Sequence, residues 1–312
     1  GSWSKRVLKV KKEINTVVDS ILLTISEKSK VFRAPYFVDK KYLDLFLFDF
    51  SFVETEDQKN SWGDIYKDLM SDKPMNRLLC GDVGFGKTEV AMRSSFVVSF
   101  TKQVAIMAPT TILSLQLFYS FKKRFKNFPQ KIVLLNRLQP SKKRELIYKK
   151  ISAGSVDIII GTHALLSNRV SFRSLGLVII DEEHRFGVKQ KEKINTLSLD
   201  LDLLSMSATP IPRSLQQSFS GLKSLSLMKT APSTRKPIIT KILYSSNAII
   251  SKFVLLEVDR GGQVYIVYNN VDNIETYTNK IRDLFPGLRI SFIHGKLSPS
   301  KIEGTLSNFI NR

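Results

Sequence analysis

The chain has 312 residues, of which 43% are hydrophobic and 24% charged, and these values fit about two globular domains with a sizeable core. No apolar run approaches the ~20 residues that a membrane span needs, so we expect no membrane partner. The single cysteine, Cys80, excludes an internal disulfide and a multi-cysteine metal site. We expect no signal peptide after Gly1-Ser2, which looks like a cloning remnant, and a reducing cytoplasm as the compartment.

Basic charge is the strongest compositional signal. Lys and Arg number 48 against 28 Asp and Glu, and the net charge of +20 favours a polyanionic partner, nucleic acid above all. A genome rich in A and T would also encode many lysines, so the total alone leaves a compositional bias open. The stretch 122–150 is more telling, because it carries eleven basic side chains against one acid, Glu145.

An amphipathic pattern opens the chain. Apolar residues recur at alternating spacings of four and three, and these are Trp3, Val7, Val10, Ile14, Val17 and Ile21. The pattern predicts one long helix over residues 3–30, and the short seam favours packing on its own protein over a dimeric coiled coil. Residues 31–53 are rich in aromatics and interrupted by Pro35, and we expect them to be irregular.

Strand and helix patterns alternate after residue 54. Short apolar runs predict strands at Arg77–Cys80, Val104–Ala108, Ile132–Asn136, Asp157–Gly161, Leu177–Asp181 and Leu203–Ser207. Helical patterns fill the gaps, at 56–70, 88–100, 111–126, 141–153 and 212–220. Continuous apolar strands between helices predict an α/β fold, with a parallel sheet covered by helices on both faces.

A second α/β unit is predicted after a linker at 229–237. Its predicted elements are strand Gln263–Tyr268, helix Ile274–Leu284, strand Arg289–His294 and helix Ser300–Phe309. This is about half of a lobe like the first. We therefore divide the chain into a linking helix and irregular segment at 1–50, a first lobe at 51–230, and the N-terminal half of a second lobe at 231–312.

A phosphate-loop motif follows the first predicted strand. Gly81-Asp-Val-Gly-Phe-Gly-Lys-Thr88 matches G-x-x-x-x-G-K-[ST] between a strand and a helix, and a merely structural glycine-rich turn is the weaker alternative. Gly84 and Gly86 let backbone N–H groups face phosphate at a helix N-terminus, where Lys87 would reach the β- and γ-phosphates. The predicted ATP contacts are Gly81, Asp82, Val83, Gly84, Phe85, Gly86, Lys87, Thr88 and Glu89.

An acidic pair ends the strand at 177–181. Acids at the carboxyl end of a parallel strand lie on the ligand side of such a sheet. We expect Asp181 and the Thr88 hydroxyl to hold Mg²⁺, and Glu182 to polarise the attacking water. The predicted catalytic residues are Lys87, Asp181 and Glu182. An acidic strand end alone is more often a surface feature, and the phosphate loop about a hundred residues earlier favours the catalytic role.

Small hydroxyl residues recur at other strand ends. Ser207-Ala-Thr209 follows one strand, and exposed hydroxyl and N–H groups after the others suit contacts with a nucleic-acid backbone. The predicted DNA contacts are Thr110, Thr111, Gly161, Thr162, His163 and Arg213. Each of these is weak alone, because a polar turn before a helix has the same appearance.

An aromatic and a glutamine precede the first lobe. Phe52 could stack on adenine while Gln58 reads its edge as donor and acceptor. Thr55 between them has the position of a helix cap, a structural role that is compatible with base recognition.

These motifs, in this order, resemble superfamily-2 helicases, whose lobes have the RecA-like P-loop NTPase fold. The closer resemblance is to bacterial transcription-repair coupling factors. It rests on Arg77-Leu-Leu-Cys-Gly-Asp-Val-Gly-Phe-Gly-Lys-Thr-Glu-Val-Ala91, Asp181-Glu-Glu-His-Arg-Phe-Gly-Val188, Ser207-Ala-Thr-Pro-Ile-Pro-Arg213, Gly261-Gly-Gln-Val-Tyr265 and His294-Gly295. A related branched-DNA helicase family typically has Ser and Gln in place of Phe85 and Glu183.

The resemblance implies an ATP- and Mg²⁺-dependent translocase on double-stranded DNA. Such motors displace stalled RNA polymerase and recruit excision-repair proteins, through domains outside this chain. The later arginine-rich motif of the family is also outside it, so we expect residues 1–312 alone to bind nucleotide poorly and to hydrolyse ATP hardly at all. A branched-DNA helicase and a nucleotide-dependent DNA-binding module remain the alternative functions.

Overall fold

The computed structural model describes residues 30–137, 139–187, 190, 193–194, 200–208, 223–236 and 238–311. The chain divides into one unit that ends at Arg235 and another that begins at Lys236, and each is described by itself. The predicted helices at 3–30 and 212–220 lie outside the described residues, as does Arg213.

The first unit is built on a seven-stranded sheet. Its strands are β1 Asn76–Gly81, β2 Gln103–Met107, β3 Ile132–Leu135, β4 Ile158–Gly161, β5 Leu175–Ile180, β6 Asp202–Ser207 and β7 Ser224–Met228. The order is β3-β4-β2-β5-β6-β1-β7 and every pairing is parallel. The predicted parallel α/β fold is thereby confirmed.

Helices cover both faces of this sheet. They are α1 Lys40–Phe48, α2 Glu56–Met70, α3 Lys87–Val98, α4 Thr111–Arg124 and α5 Ser141–Ser152. Alternate residues of each strand enter different cores: Val104 and Ile106 pack with α1 to α4, whereas Ala105 and Met107 pack with α5. Both faces are buried, which is why the strands appear in the sequence as continuous apolar runs.

The aromatic-rich segment 31–53 is more regular than its composition indicated. It contains α1, whose first turn is capped by Asp39 accepting a hydrogen bond from the backbone N–H of Lys41. The Phe46 ring is fully buried and stacks on Phe96 of α3, with their centroids 4.1 Å apart. The prediction of an irregular segment was wrong here, because this helix is stabilised by packing and a cap rather than by a long periodic pattern.

A buried polar cluster fastens the segment before α1 to the sheet. Asp202, at the start of β6, accepts hydrogen bonds from the Arg33 guanidinium, the Tyr36 hydroxyl at 2.7 Å and the Met75 N–H at 2.6 Å. Its side chain is wholly buried. Burial raises the pKa of Asp202 and Arg33 opposes that rise.

Strand β7 was missed by the sequence analysis. Its alternating Ser and Leu residues make a weak strand pattern, and it lies at the edge of the sheet beside β1. It explains one glycine, because a Cβ on Gly81 would come within 2.8 Å of the Met228 Cβ.

The second unit contains three helices, α6 Asn247–Asp259, α7 Ile274–Leu284 and α8 Pro299–Asn311. Val254, Ile281 and Phe285 form its small core. Within the described residues 238–311, the segments 263–268 and 289–294 form no strand, so the two predicted strands are absent. Their apolar pattern indicates burial, but a strand also requires a hydrogen-bonded neighbour, which a local pattern cannot supply.

None of the helices in the described part of the chain is long and apolar enough to cross a membrane.

Candidate nucleotide and nucleic-acid site

The parallel topology brings the predicted site residues to one edge of the sheet. All seven strands point the same way, so the segments that follow β1, β2, β4, β5 and β6 emerge together; we call this side the carboxyl edge. In open α/β sheets, ligands bind outside the carboxyl ends of the strands. The phosphate loop follows β1, and Asp181 follows β5, which is separated from β1 only by β6.

The phosphate loop depends on glycine at two positions. Gly84 and Gly86 have φ values of 82° and 90°, in the left-handed region that other residues rarely adopt. Gly86 caps α3, and a Cβ there would come within 2.3 Å of the Gln58 side-chain nitrogen. The loop therefore turns its backbone toward the N-terminus of α3, which is an arrangement that binds anions.

The Lys87 side chain folds back along this loop. Its ammonium donates to the Gly81 carbonyl at 2.5 Å and the Asp82 carbonyl at 3.0 Å. Burial lowers the pKa of Lys87, and the charges of Glu182 and Asp181 oppose that shift, so the three groups interact across the site. A buried ammonium held at the loop is positioned to meet a phosphate.

The acidic pair after β5 occupies a strained turn. Glu182 has φ 53° and is the one residue other than glycine with positive φ among the described residues. Its carboxylate accepts from the Ala208 N–H at 3.4 Å and lies 3.3 Å from the His184 ring nitrogen. Burial and the neighbouring Glu182 raise the pKa of Asp181, whereas Lys87 lowers it. Strain of this kind is concentrated at functional sites.

Thr88 and Asp181 are the oxygen donors that fit a magnesium ion. No cluster of three or more His, Cys, Asp or Glu side chains able to hold a metal occurs among the described residues. That donor set still fits Mg²⁺, which is commonly bound by one or two protein oxygens together with water and substrate phosphates. The ion would supply charge neutralisation at the phosphates.

Gln58 connects helix α2 to the phosphate loop. Its side-chain oxygen accepts from the Thr55 N–H at 3.0 Å, while the Thr55 hydroxyl accepts from the Gln58 N–H, which completes a capping box. The Gln58 amide nitrogen donates to the Phe85 carbonyl at 2.8 Å. Both ends of this buried amide are therefore engaged within the protein. Phe52, the other predicted adenine contact, is exposed and packs beside Phe50.

Glu89 belongs to an ion-pair network behind the phosphate loop. It pairs with Arg93 and Arg124, which in turn pair with Glu54 and Asp49. In this conformation the Glu89 carboxylate contacts arginines inside the protein and positions α3 against α4, and its contact with nucleotide stays a prediction. Arg124 is one of the eleven basic residues of 122–150 and is likewise used internally.

The predicted DNA-contacting residues have different environments at the carboxyl edge. Thr110 is exposed and caps α4 by accepting from the Leu113 N–H. Gly161 and Thr162 are buried, and a Cβ on Gly161 would come within 2.4 Å of the Leu135 carbonyl oxygen. Gly161 thus has a packing role, and in this conformation His163 is the exposed member of its group. Thr111 lies partly exposed at the start of α4.

Two contacts around the phosphate loop and α2 were not predicted from the sequence. Arg235 pairs with Asp82 of the phosphate loop at 2.9 Å, and its guanidinium lies over the Phe85 ring. Asp57 accepts from the backbone N–H groups of Lys229 and Thr230, both at 2.7 Å. No motif marks either position, since the contacts join segments more than 150 residues apart in sequence.

A phosphate loop and an acidic pair at the carboxyl edge of this parallel sheet define a P-loop nucleotide-binding protein. Residues 55–218 match the DEAD/DEAH box helicase family, and the chain belongs to that family.

The similar curated proteins are transcription-repair-coupling factors, which confirms the resemblance drawn from the motifs. The chain is 43% identical to that of Borreliella burgdorferi over 312 residues, 40% to that of Bacillus subtilis over 311 and 37% to that of Escherichia coli over 309. These alignments cover 99–100% of the chain but 26–28% of the relatives. The chain therefore spans about a quarter of their length.

Two solved structures have similar folds. RecG bound to a three-way DNA junction has a TM-score of 0.71 at 32% identity, and the match covers 93% of this chain and 40% of that one. Mss116p bound to single-stranded RNA and AMP-PNP has a TM-score of 0.65 at 17% identity, covering 88% of this chain and 62% of that one. The second likeness shows the fold alone.

Proposed function

We propose that this chain is the ATP-binding part of a motor that translocates on double-stranded DNA, displaces stalled RNA polymerase and couples transcription to nucleotide excision repair. The observation that carries the proposal is the cluster of Lys87, Asp181 and Glu182 at the carboxyl edge of a helicase-family sheet. The name shared by the curated relatives supports the coupling role. Contacts with polymerase and repair proteins belong to parts of those longer proteins outside this stretch.

The residues divide the work at the nucleotide. Lys87 leaves the loop carbonyls and pairs with the β- and γ-phosphates, while Thr88 and Asp181 would hold Mg²⁺, which would supply charge neutralisation. Glu182 orients the attacking water and accepts its proton. Ala208, which directly follows β6, donates its backbone N–H to the Glu182 carboxylate. A movement of this carboxylate would therefore be transmitted to the end of β6. Preorganised charge of this kind is the main catalytic device in phosphoryl transfer.

Turnover needs a second lobe. Motors of this class close two lobes around ATP, and an arginine from the second stabilises the transition state, an effect of about 10³–10⁵ in rate. The chain spans about a quarter of its relatives, and we propose that the missing arginines lie in the remainder. Residues 1–312 should then show weak ATPase activity that duplex DNA does not stimulate, unlike a longer form with the complete second lobe. Equal DNA-stimulated rates would contradict this division.

DNA crosses the carboxyl edge near Thr110, Thr111 and His163 in this proposal. The basic stretch 122–150 contributes unequally, because α4 and α5 each begin at the carboxyl edge and run back to the opposite one. Lys142 and Lys143 open α5 and lie at the DNA side, whereas Lys149 and Lys150 end it. All four side chains are exposed.

A pair of charge reversals tests this placement. Replacing Lys142 and Lys143 by Glu should weaken duplex binding for all sequences and flatten the salt dependence, by about 0.9 in logarithmic slope for each phosphate that the protein no longer neutralises. The control replaces Lys149 and Lys150 by Glu, which changes the charge of the same helix equally at its far end. If both variants lose the same affinity for duplex DNA, the position of the lysines along α5 does not matter, and the basic stretch attracts DNA only through its total charge.

The second candidate is a branched-DNA helicase, which the likeness to RecG on a three-way junction favours. Junction unwinding and displacement of stalled polymerase, assayed side by side with the full-length protein, separate the two. Junction unwinding without polymerase displacement would favour the second candidate.

A further inference from the structure

Arg235 contacts two residues of the phosphate loop, Asp82 and Phe85, and lies beside Gly84. Its guanidinium donates to the Asp82 carboxylate at 2.9 Å, lies 4.9 Å from the centre of the Phe85 ring, and is 3.7 Å from where a Cβ of Gly84 would stand. The arginine stands in the segment 229–235 that ends the first unit, and its backbone N–H is fixed by the Pro232 carbonyl at 2.9 Å.

The same segment is attached to the site at its other end. Asp57, in the first turn of α2, accepts from the N–H groups of Lys229 and Thr230. These hydrogen bonds hold the pKa of Asp57 below its usual value. The next residue, Gln58, bonds the Phe85 carbonyl. Both ends of 229–235 therefore contact elements that touch the phosphate loop.

The negative charge of Asp82 would repel an anionic ligand at the phosphate loop. Its carboxylate is oriented by the Val83 N–H at 2.8 Å and lies in a loop whose purpose is to receive phosphates. A carboxylate beside a polyphosphate is unfavourable, since like charges repel. Arg235 pairs with this carboxylate and neutralises its charge. Arginine suits this position because its planar fork can engage carboxylate or phosphate and stays charged at all relevant pH values.

We propose that Arg235 is part of the nucleotide-binding site: it neutralises Asp82, and so makes the affinity for a nucleoside polyphosphate depend on the position of the segment 229–235. The proposal rests on the nucleotide site proposed above and adds to it a residue that lies outside every motif. By linkage, nucleotide that binds more tightly with this segment in place must also hold the segment in place.

The first test measures binding of a ribose-labelled fluorescent ADP, with Mg²⁺, to residues 1–312. Arg235→Ala and Arg235→Gln should each raise the Kd about two- to fivefold, the range expected of a partly exposed charge pair. Adding Asp82→Asn to either variant should restore affinity toward that of the unchanged chain, because the repulsive carboxylate is gone. Lys236→Ala, the matched removal of one positive charge at the adjacent residue, should have no effect.

The second test follows hydrogen exchange of residues 229–236. Saturating ADP should slow exchange there in the unchanged chain, and the slowing should be absent in Arg235→Gln. Unaltered affinity in both Arg235 variants would overturn the inference, as would a weakening that Asp82→Asn fails to reverse. If a longer form with the complete second lobe also binds no labelled ADP, the nucleotide site itself is wrong, and that failure is distinct from the other two.

Discussion

Gln58 offers the sharpest test of how the site is supported. Replacing it with Ala removes the bond to the Phe85 carbonyl at 2.8 Å and the bond from the Thr55 N–H at 3.0 Å. Removing a hydrogen bond costs about 1 kcal/mol, and a buried acceptor left without a donor costs about 1–3 kcal/mol. Since the residue is buried, we expect Gln58→Ala to lower the free energy of unfolding by about 2 kcal/mol and to weaken nucleotide binding.

A second substitution separates the two roles of this side chain. Gln58→Glu keeps an oxygen for the Thr55 N–H, so the capping box survives. It cannot donate to the Phe85 carbonyl, and it places negative charge beside the phosphate loop. We therefore expect nucleotide affinity to fall further in Gln58→Glu than in Gln58→Ala, although the helix cap is retained.

The assay is denaturant unfolding followed by tryptophan fluorescence. Trp62 lies in α2 and packs against the first core. A Trp3→Phe background leaves it as the sole tryptophan, since the sequence contains two. Lys59→Ala is the control, because Lys59 is exposed and its ion pair with Glu56 spans 3.7 Å. If Gln58→Ala has the same free energy of unfolding and the same nucleotide affinity as Lys59→Ala, the hydrogen bonds of Gln58 stabilise neither the fold nor the bound nucleotide, and the reasoning is refuted.

Four further outcomes are expected. Lys87→Ala should abolish ATP turnover in a full-length protein while circular dichroism stays unchanged, and retained turnover would reject the site. The pKa of Asp181 is raised in the folded state, so the unfolded chain loses this proton at a lower pH than the folded chain does. The free energy of unfolding should therefore decline as pH rises from about 3.8 through the folded-state pKa. Asp181→Asn should remove this decline, measured as melting temperature against pH. Gly161→Ala should destabilise the first unit by about 1–3 kcal/mol, measured by unfolding, because its Cβ meets the Leu135 carbonyl. Burial raises the pKa of the Cys80 thiol to about 11, so a thiol reagent at neutral pH should label it only after unfolding.

The sheet could be predicted from the sequence because its strands are buried on both faces. Strands such as β2 and β4 are apolar throughout, and the glycine-rich turn after β1 fixed where the site would lie. β7 could not be found in this way, since its alternating Ser and Leu residues make a weak pattern and its place in the sheet depends on pairing with β1, which is distant in sequence. Helix α1 was missed for a similar reason: its stability depends on Phe46 packing against a helix 50 residues away in sequence.

The roles of individual site residues were harder to predict than the location of the site. A motif gives positions but not the direction in which a side chain points, and Glu89 turns toward Arg93 and Arg124. Thr162 follows a strand as expected but is buried. Arg235 was outside any pattern, because its partner Asp82 lies 153 residues away in sequence and the motif that contains Asp82 does not show what pairs with it.

Strand β6 joins two regions that were described separately. At one end, Asp202 is bound to Arg33 and Tyr36 of the segment before α1, and at the other, Ala208 donates to Glu182. Six extended residues span about 20 Å, and an extended strand held on both sides by neighbours cannot lengthen further. A displacement of the segment around Arg33 would therefore be transmitted along β6 to the residue that donates to Glu182.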